Sequence, residues 1–134
     1  DDRGYLMEML RSDWPEFKKF GQAYITVCKR GWVKGWHYHK IQTDNFCVVK
    51  GTAKIVLIDS VKKEFMEFKL SAQKPSVLSI PPKVIHGFEC TSKVECWIMN
   101  IPTETYKYDK PDEYRFTLND PSIPYKPWKK KKGW

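Results

Sequence analysis

The feature that most constrains the fold is a series of short runs, rich in β-branched and aromatic residues, that recurs at nearly even spacing after Gln22. Segments rich in Gly, Pro, Lys and Ser separate these runs and are typical of turns. The runs read AYITVC, NFCVV, TAKIVLI, EFMEFKL, SVLSI, HGFEC and KVECWIMN. Strand–turn units in such a series predict an all-β fold, an antiparallel sandwich or barrel.

One segment before these runs predicts a helix instead. In RSDWPEFKKF, residues 11–20, either Ser12 or Asp13 is a suitable N-cap, and Pro15 suits the first turn. Glu16 could complete a capping box. We therefore expect a short N-terminal helix ahead of the strands.

The end of the chain has a different composition. From Pro102 onward prolines are frequent, which predicts an extended arm with one more strand at YRFTL. Half of the net charge of +8 comes from the four consecutive residues Lys129–Lys132. Such a run is typical of a solvated tail, so the charge alone does not predict a nucleic-acid partner. At 134 residues we expect a single domain, 1–134, with a mobile basic tail over about 126–134.

Composition and cysteine usage narrow the class of protein further. Aromatic residues make up 15% of the chain, which excludes a disordered class, and no run reaches the roughly 18–20 apolar residues of a membrane span. The cysteines stand singly in apolar runs without C-x-x-C spacing: Cys28, Cys47, Cys90 and Cys96. This pattern predicts free thiols in a reducing cytoplasm.

The stretch GWVKGWHYHKIQTDNFCVVKG contains a spacing found in metal-binding strand pairs. His37 and His39 are two residues apart and would face the same side of a strand. With Asp44 they resemble the cupin pattern G-x5-H-x-H-x3,4-E-x6-G, with Asp in place of Glu, and His86 stands where such barrels supply a third imidazole. Three imidazoles and a carboxylate suit Fe(II), Mn(II), Ni(II) or Zn(II).

Four motifs point to a more specific family. DDRGYLME, KGWHYH, IPPKVIHGF and LNDPSIPY occur in this order. The chain thereby resembles the dTDP-4-dehydrorhamnose 3,5-epimerases, which typically show D-x-R-G-x-x-x-E, R-G-L-H-Y-Q, I-P-P-x-x-x-H-G-F and W-N-D-P. The resemblance extends over roughly Asp2 to Tyr125. It implies a cupin-type jelly-roll barrel without metal and a role in deoxysugar biosynthesis.

The resemblance also implies roles for matching residues. His37 would be the general base that removes the proton beside the 4-keto group of the sugar, and Asp120 would orient its ring. This agrees with the chemistry, because abstraction next to a carbonyl needs a base with a pKa near 7. Substrate-binding positions of the family fall on Arg3, Glu8, Gln22, Lys34 and His86. No redox cofactor is expected, because no electrons leave the substrate.

Two positions depart from the family pattern. The tyrosine general acid of the family falls on Ile98, and the lysine that would steady the enolate falls on Asp44. One of several tyrosines could replace the acid, namely Tyr24, Tyr38, Tyr106 or Tyr108. Alternatively the enzyme inverts one centre only, isomerises a keto sugar, binds a metal through the histidines, or binds sugar nucleotides without catalysis. We expect a cytoplasmic homodimer that acts on a nucleotide-diphosphate sugar and binds neither nucleic acid nor membranes.

Overall fold

Residues 1–133, which are the residues that the computed structural model describes, form nine β-strands, and seven of these coincide with the apolar runs. All pairings between these strands are antiparallel. The strands are β1 Tyr24–Cys28, β2 Val33–Tyr38, β3 Asp44–Lys50, β4 Thr52–Asp59, β5 Glu64–Ser71, β6 Val77–Ile80, β7 Ile85–Cys90, β8 Cys96–Asn100 and β9 Tyr114–Arg115. The all-β prediction is confirmed.

The strands build two sheets. The first has the order β1-β8-β3-β6, and the second has the order β5-β4-β7-β2-β9. Strand β7 lies at the centre of the second sheet, and all six of its residues are buried. This position explains why its segment, IHGFEC, carries a histidine into the interior of the protein.

A main core lies between the two sheets, and it follows the period-2 pattern of the strands. Phe46, Val48 and Ile98 of the first sheet pack with Ile55 and Phe88 of the second. Side chains of alternate residues in a strand point to opposite faces, so β4 sends Ile55 into this core. Its intervening residues Val56 and Ile58 belong to a separate cluster. Strand β4 is thus buried on both faces, which accounts for its nearly continuous apolar sequence.

The separate cluster is covered by the C-terminal segment, which packs through Trp128; the mobility predicted for this tail stays a prediction. The Trp128 ring is fully buried and stacks on Trp36 with 4.6 Å between ring centroids. The indole N–H of Trp128 donates to Glu89 over 2.8 Å, and Nζ of Lys131 lies 2.7 Å from the same carboxylate. The lysine-rich segment thus contains a buried tryptophan, Trp128, and a lysine, Lys131, that contacts the buried carboxylate of Glu89.

Glu89 shows how this segment is held electrostatically. Burial raises the pKa of its carboxyl group, but the contacts with Lys131 and Trp128 outweigh burial and leave that pKa lowered. The backbone N–H of Val33 also donates to the carbonyl of Lys132 over 2.8 Å. The C-terminal segment is therefore joined to β2 and β7, the two strands that carry the histidines.

The predicted N-terminal helix is wrong. Residues 11–20 form two successive turns, in which Trp14 N–H bonds to the carbonyl of Arg11 and Phe17 N–H bonds to that of Trp14. The guanidinium of Arg11 binds the Asp13 carboxylate, which is then not used as an N-cap. Most of this segment is exposed, so no apolar face stabilises a helix. None of the described residues forms a helix long and apolar enough to cross a membrane.

Candidate active site

Strands β2 and β7 place two histidines side by side. Gly35 pairs with Gly87, and after a shift in register His37 pairs with His86. Their ring centroids are 4.1 Å apart. His39 follows the end of β2 on the same side as His37, with 5.4 Å between those two rings. Three imidazoles therefore converge at one end of the second sheet.

Asp44, the first residue of β3, brings a carboxylate from the first sheet to these rings. Its Oδ2 lies 3.2 Å from Nε2 of His39 and 3.2 Å from Nε2 of His86. Its Oδ1 accepts hydrogen bonds of 2.8 Å from the side-chain amides of Gln42 and Asn100. One ligand atom from each of His37, His39, Asp44 and His86 lies within 4.8 Å of the others. The cluster that the cupin spacing predicts is thus assembled.

The charges in this cluster depend on one another. Burial raises the pKa of Asp44, but the neighbouring His39 and His86 outweigh it, so that the carboxyl group has a strongly lowered pKa and is ionised. Burial lowers the pKa of His39, whereas its contacts with Asp44 and Asp112 raise it, and the net shift is upward. For His37, burial and the other two imidazoles hold the pKa well below its ordinary value.

Two of the three imidazoles are oriented by backbone carbonyls. Nδ1 of His39 contacts the carbonyl of Asp112, and Nδ1 of His86 lies 3.0 Å from the carbonyl of Val84. A carbonyl only accepts, so each Nδ1 carries the proton. Nδ1 of His37 is buried and has no hydrogen-bond partner among the described residues. A buried ring nitrogen of this kind calls for an explanation, such as a bound ligand or a catalytic role.

The cluster opens into a cavity of about 640 Å³, within the range of small-molecule sites. His37, His39 and Gln42 form part of its wall, together with Gln22 and Tyr24 from the segment around β1. The rest of the wall comes from the segment 104–114 of the predicted arm and from the residues after β2. This outer part contains the carboxylates of Glu104, Asp112 and Glu113, together with three lysines and three tyrosines: Lys40, Lys107, Lys110, Tyr106, Tyr108 and Tyr114.

The structure brings together only some of the residues that the resemblance implies. His37 and Gln22 line the cavity, and His86 lies behind it in the cluster. The others do not line the cavity and have partners elsewhere. Arg3 pairs with Asp1, Glu8 with Arg11, Lys34 with Thr26, and Asp120 with Ser122. The functional roles of these four residues stay predictions.

Asp112 is the main residue of the site that the sequence did not indicate. Its carboxylate accepts the backbone N–H groups of Lys40, Ile41 and Gln42 at 2.9–3.1 Å, and its carbonyl contacts His39. It therefore holds the chain that follows β2 against the arm. The sequence KPDEY gives no signal for this contact, because the partners are about 70 residues away.

The sequence is similar to proteins of polysaccharide and glycan biosynthesis. The sequence profile of the family described as "Polysaccharide biosynthesis C-terminal domain" matches residues 1–114. The chain is 33% identical to the spore coat polysaccharide biosynthesis protein SpsL of Bacillus subtilis, over 92% of this chain and 85% of that protein. It is also 33% identical to the probable low-salt glycan biosynthesis epimerase Agl13 of Haloferax volcanii, over 86% and 78% of the two chains.

A solved structure extends the comparison. The dTDP sugar isomerase of Desulfovibrio desulfuricans superposes with a TM-score of 0.82 and 28% identity, over 90% of this chain and 79% of that one. The resemblance to sugar-nucleotide epimerases and isomerases that the sequence motifs predict is therefore confirmed.

Proposed function

This chain belongs to the family of polysaccharide biosynthesis C-terminal domains, and on that basis we propose that it epimerises or isomerises a nucleotide-linked 4-keto-6-deoxyhexose. The observation that carries the proposal is the histidine cluster at the wall of a substrate-sized cavity, where Nδ1 of His37 has no protein partner among the described residues. The similarity to a glycan biosynthesis epimerase and a dTDP sugar isomerase supports the same class of substrate.

In this proposal His37 removes the proton from the carbon next to the ketone. An imidazole that is largely withdrawn from water and flanked by two other imidazoles is neutral at pH 7 and can accept a proton, but its lowered pKa makes it a weaker base than the pKa near 7 expected from the sequence. The developing enolate needs positive charge or hydrogen-bond donors nearby. His39, whose contacts with Asp44 favour its protonated form, lies beside His37 and is suited to that role.

The outer part of the cavity suits the diphosphate and the base of such a substrate. Lys40, Lys107 and Lys110 line it and supply positive charge, and the phenol rings of Tyr106 and Tyr108 offer stacking surfaces. Phosphate groups are bound by lysine as point charges, and bases stack on aromatic rings. These residues would hold the nucleotide while the sugar reaches the histidines.

The test is deuterium exchange. The protein is incubated with dTDP-4-keto-6-deoxyglucose in D2O, and the sugar is examined for deuterium at C3 or C5. We expect uptake by the wild type, loss of uptake in His37→Ala, and full uptake in the control Lys62→Ala, which changes an exposed turn. Uptake that survives in His37→Ala would exclude His37 as the base. Nucleotide binding without any exchange would indicate a non-catalytic relative.

A second candidate function, binding of a divalent metal, is favoured by the orientation of the rings. With Nδ1–H of both His39 and His86 directed to carbonyls, the neutral rings turn their Nε2 lone pairs toward Oδ2 of Asp44. The amide of Gln42, a donor to Asp44, also lies 3.3 Å from Nε2 of His39. Converging lone pairs need protons or a cation between them, and carbonyl-oriented imidazoles are typical of metal ligands.

The residues present thus fit a divalent ion, with His37, His39, Asp44 and His86 as ligands. Such an ion, when bound, polarises a carbonyl oxygen. A metal ion bound to His37 would leave this ring unable to accept a proton. The metal content of the purified protein, measured by elemental analysis, therefore distinguishes the two candidate functions. One equivalent of metal, lost in a His37→Ala/His39→Ala double variant, would support the metal and remove His37 from the role of free base.

We further propose a cytoplasmic homodimer in which the N-terminal segment contributes to the partner's site. Tyr5 and Leu6 of this segment are 70% and 87% exposed, and Ile25 on the edge strand β1 is 49% exposed. Such apolar exposure is typical of an interaction surface. The four cysteines are free and buried, which supports a reducing compartment. Light scattering would give the mass, and Leu6→Asp should reduce it to that of the monomer.

A further inference from the structure

Inversion at carbon needs two groups, a base on one face of the sugar and a proton donor on the other. In the epimerases that this chain resembles, a tyrosine donates the proton, and the corresponding position here is Ile98. This side chain is fully buried in the core between the sheets and has no proton to give. If the proposed function holds, another side chain of the cavity must supply the proton.

Tyr24 is positioned for this task. It lies in β1, at the edge of the four-stranded sheet, whereas His37 lies in β2 of the five-stranded sheet. Both side chains line the same cavity. A sugar bound between them is therefore approached from two different sheets.

The hydrogen bonds of Tyr24 leave its own proton available. Nδ2 of Asn100 lies 2.9 Å from the phenol oxygen of Tyr24 and 2.8 Å from Oδ1 of Asp44. A carboxylate only accepts, so Asp44 fixes this atom of Asn100 as the amide nitrogen. The other end of the amide is fixed as well, because its Oδ1 accepts the backbone N–H of Asn45 over 2.9 Å.

It follows that Asn100 donates and the phenol oxygen accepts. We find no acceptor for the phenol proton of Tyr24 among the described residues, so that proton can point into the cavity. Burial, together with the charge of Asp44, raises the pKa of Tyr24 to about 12, which keeps the phenol protonated at neutral pH. A neutral phenol with a free proton is the form that a general acid requires.

The other tyrosines that could replace the missing acid are placed less well. The ring of Tyr38 stacks on Tyr114 with 5.0 Å between centroids, and Tyr38 does not line the cavity. Tyr106 and Tyr108 do line it, but their rings contact each other, and no hydrogen bond among the described residues holds either hydroxyl; exposure alone does not distinguish Tyr106, at 45%, from Tyr24, at 41%. Among the candidates only Tyr24 combines the cavity wall with a fixed hydroxyl.

We propose that Tyr24 is the general acid of the reaction and donates its proton to the enolate carbon on the face opposite His37. This inference rests on the proposed function. His37 takes the proton from carbon, and the C–H electron pair forms the enolate. The Tyr24 O–H bond then breaks as the new C–H bond forms. The tyrosinate regains a proton from solvent as the imidazolium loses one, so that no net proton is consumed.

The experiment separates proton removal from inversion. Wild type, Tyr24→Phe and the control Tyr38→Phe are incubated with dTDP-4-keto-6-deoxyglucose in D2O, and both deuterium uptake and the fraction of inverted sugar are measured. We expect Tyr24→Phe to form inverted product about 100-fold more slowly or worse. The variant should still exchange deuterium with retained configuration, because His37 is intact. Tyr38→Phe keeps the ring that stacks on Tyr114 and lies outside the cavity lining, so it should match the wild type in both measurements.

Inversion by Tyr24→Phe at the wild-type rate would overturn the assignment while leaving the proposed function in place. A keto-isomerised product without inversion would also overturn it. No exchange by the wild type would overturn the proposed function and the role of Tyr24 with it. If Tyr24→Phe does not fold, 3-fluorotyrosine at position 24 keeps the ring and makes the phenol more acidic. It should change the inversion rate but not the exchange rate, and unchanged inversion would refute the assignment.

Discussion

The strongest structural prediction concerns Trp128, because a mobile tail and a packed segment give opposite expectations for it. Its side chain is fully buried, stacks on Trp36 and meets Tyr125 edge to face at 5.0 Å. Trp128→Ala removes this packing, and such a change in a buried site costs about 3–5 kcal/mol in the free energy of unfolding. A domain of this kind has about 5–15 kcal/mol in total, so the loss is a large fraction.

A second substitution at the same position separates packing from hydrogen bonding. Trp128→Phe keeps an aromatic ring but removes the N–H that donates to Glu89 over 2.8 Å. Hydrogen bonds to charged groups contribute about 1.5–3 kcal/mol. Because Lys131 still contacts the carboxylate, we expect the lower part of that range.

The assay is equilibrium unfolding in urea, followed by tryptophan fluorescence and circular dichroism. Lys130→Ala is the matched control, since Lys130 is exposed in the same segment and should change the free energy of unfolding by less than about 0.5 kcal/mol. If Trp128→Ala lowers the free energy of unfolding by less than about 0.5 kcal/mol, the segment is not packed as described, and the predicted mobile tail is supported.

Two further predictions follow from single carboxylates. Burial raises the pKa of Glu89, but its contacts with Lys131 and Trp128 outweigh burial and leave that pKa lowered. The ionised Glu89 therefore stabilises the fold above the ordinary pKa of a glutamate, and this stabilisation is lost as the pH falls through the lowered pKa. In urea unfolding, Glu89→Gln should therefore be less stable than the wild type at pH 7, and the difference should narrow as the pH falls below the ordinary pKa of about 4.5. A difference that does not narrow would contradict this. Asp112→Ala removes the acceptor of three backbone N–H groups beside the cavity. It should lower the free energy of unfolding by about 1–3 kcal/mol and raise KM for the sugar nucleotide. Asp112→Asn should have a smaller effect on both. Unchanged stability and KM in Asp112→Ala would show that this contact does not shape the site.

The sequence predicted those parts of the molecule that depend on local periodicity. Strands β1 and β3 to β8 coincide with the apolar runs, because runs rich in β-branched and aromatic residues between turn-like segments favour strands. The pairing of His37 with His39 on one side of β2 follows from the alternation of faces along a strand. Asp44 followed from the spacing of the cupin motif, and His86 from the position at which such barrels supply a third imidazole; both lie in the cluster.

The parts that the sequence missed depend on contacts between distant residues. The helix expected over residues 11–20 satisfied the local capping pattern, but the segment has no apolar face to bury, and Arg11 binds the intended cap. Trp128 could be recognised as an anchor only by knowing that the outer face of the second sheet needs covering. Asp112 likewise acts through backbone groups of residues 40–42, which no side-chain pattern reveals.

The replacement of the family's lysine by Asp44 changes how the site can handle negative charge. A carboxylate at this position cannot stabilise a negatively charged enolate. In the proposed mechanism the positive charge therefore comes from a group that Asp44 binds. Asp44 lies 3.2 Å from both His39 and His86, and it stabilises either a protonated His39 or a cation bound among the rings. In both cases its Oδ1 also orients Asn100, and through it the phenol of Tyr24. One carboxylate thus positions both the positive charge and the proton donor, and Asp44→Asn should impair enolate formation and inversion together.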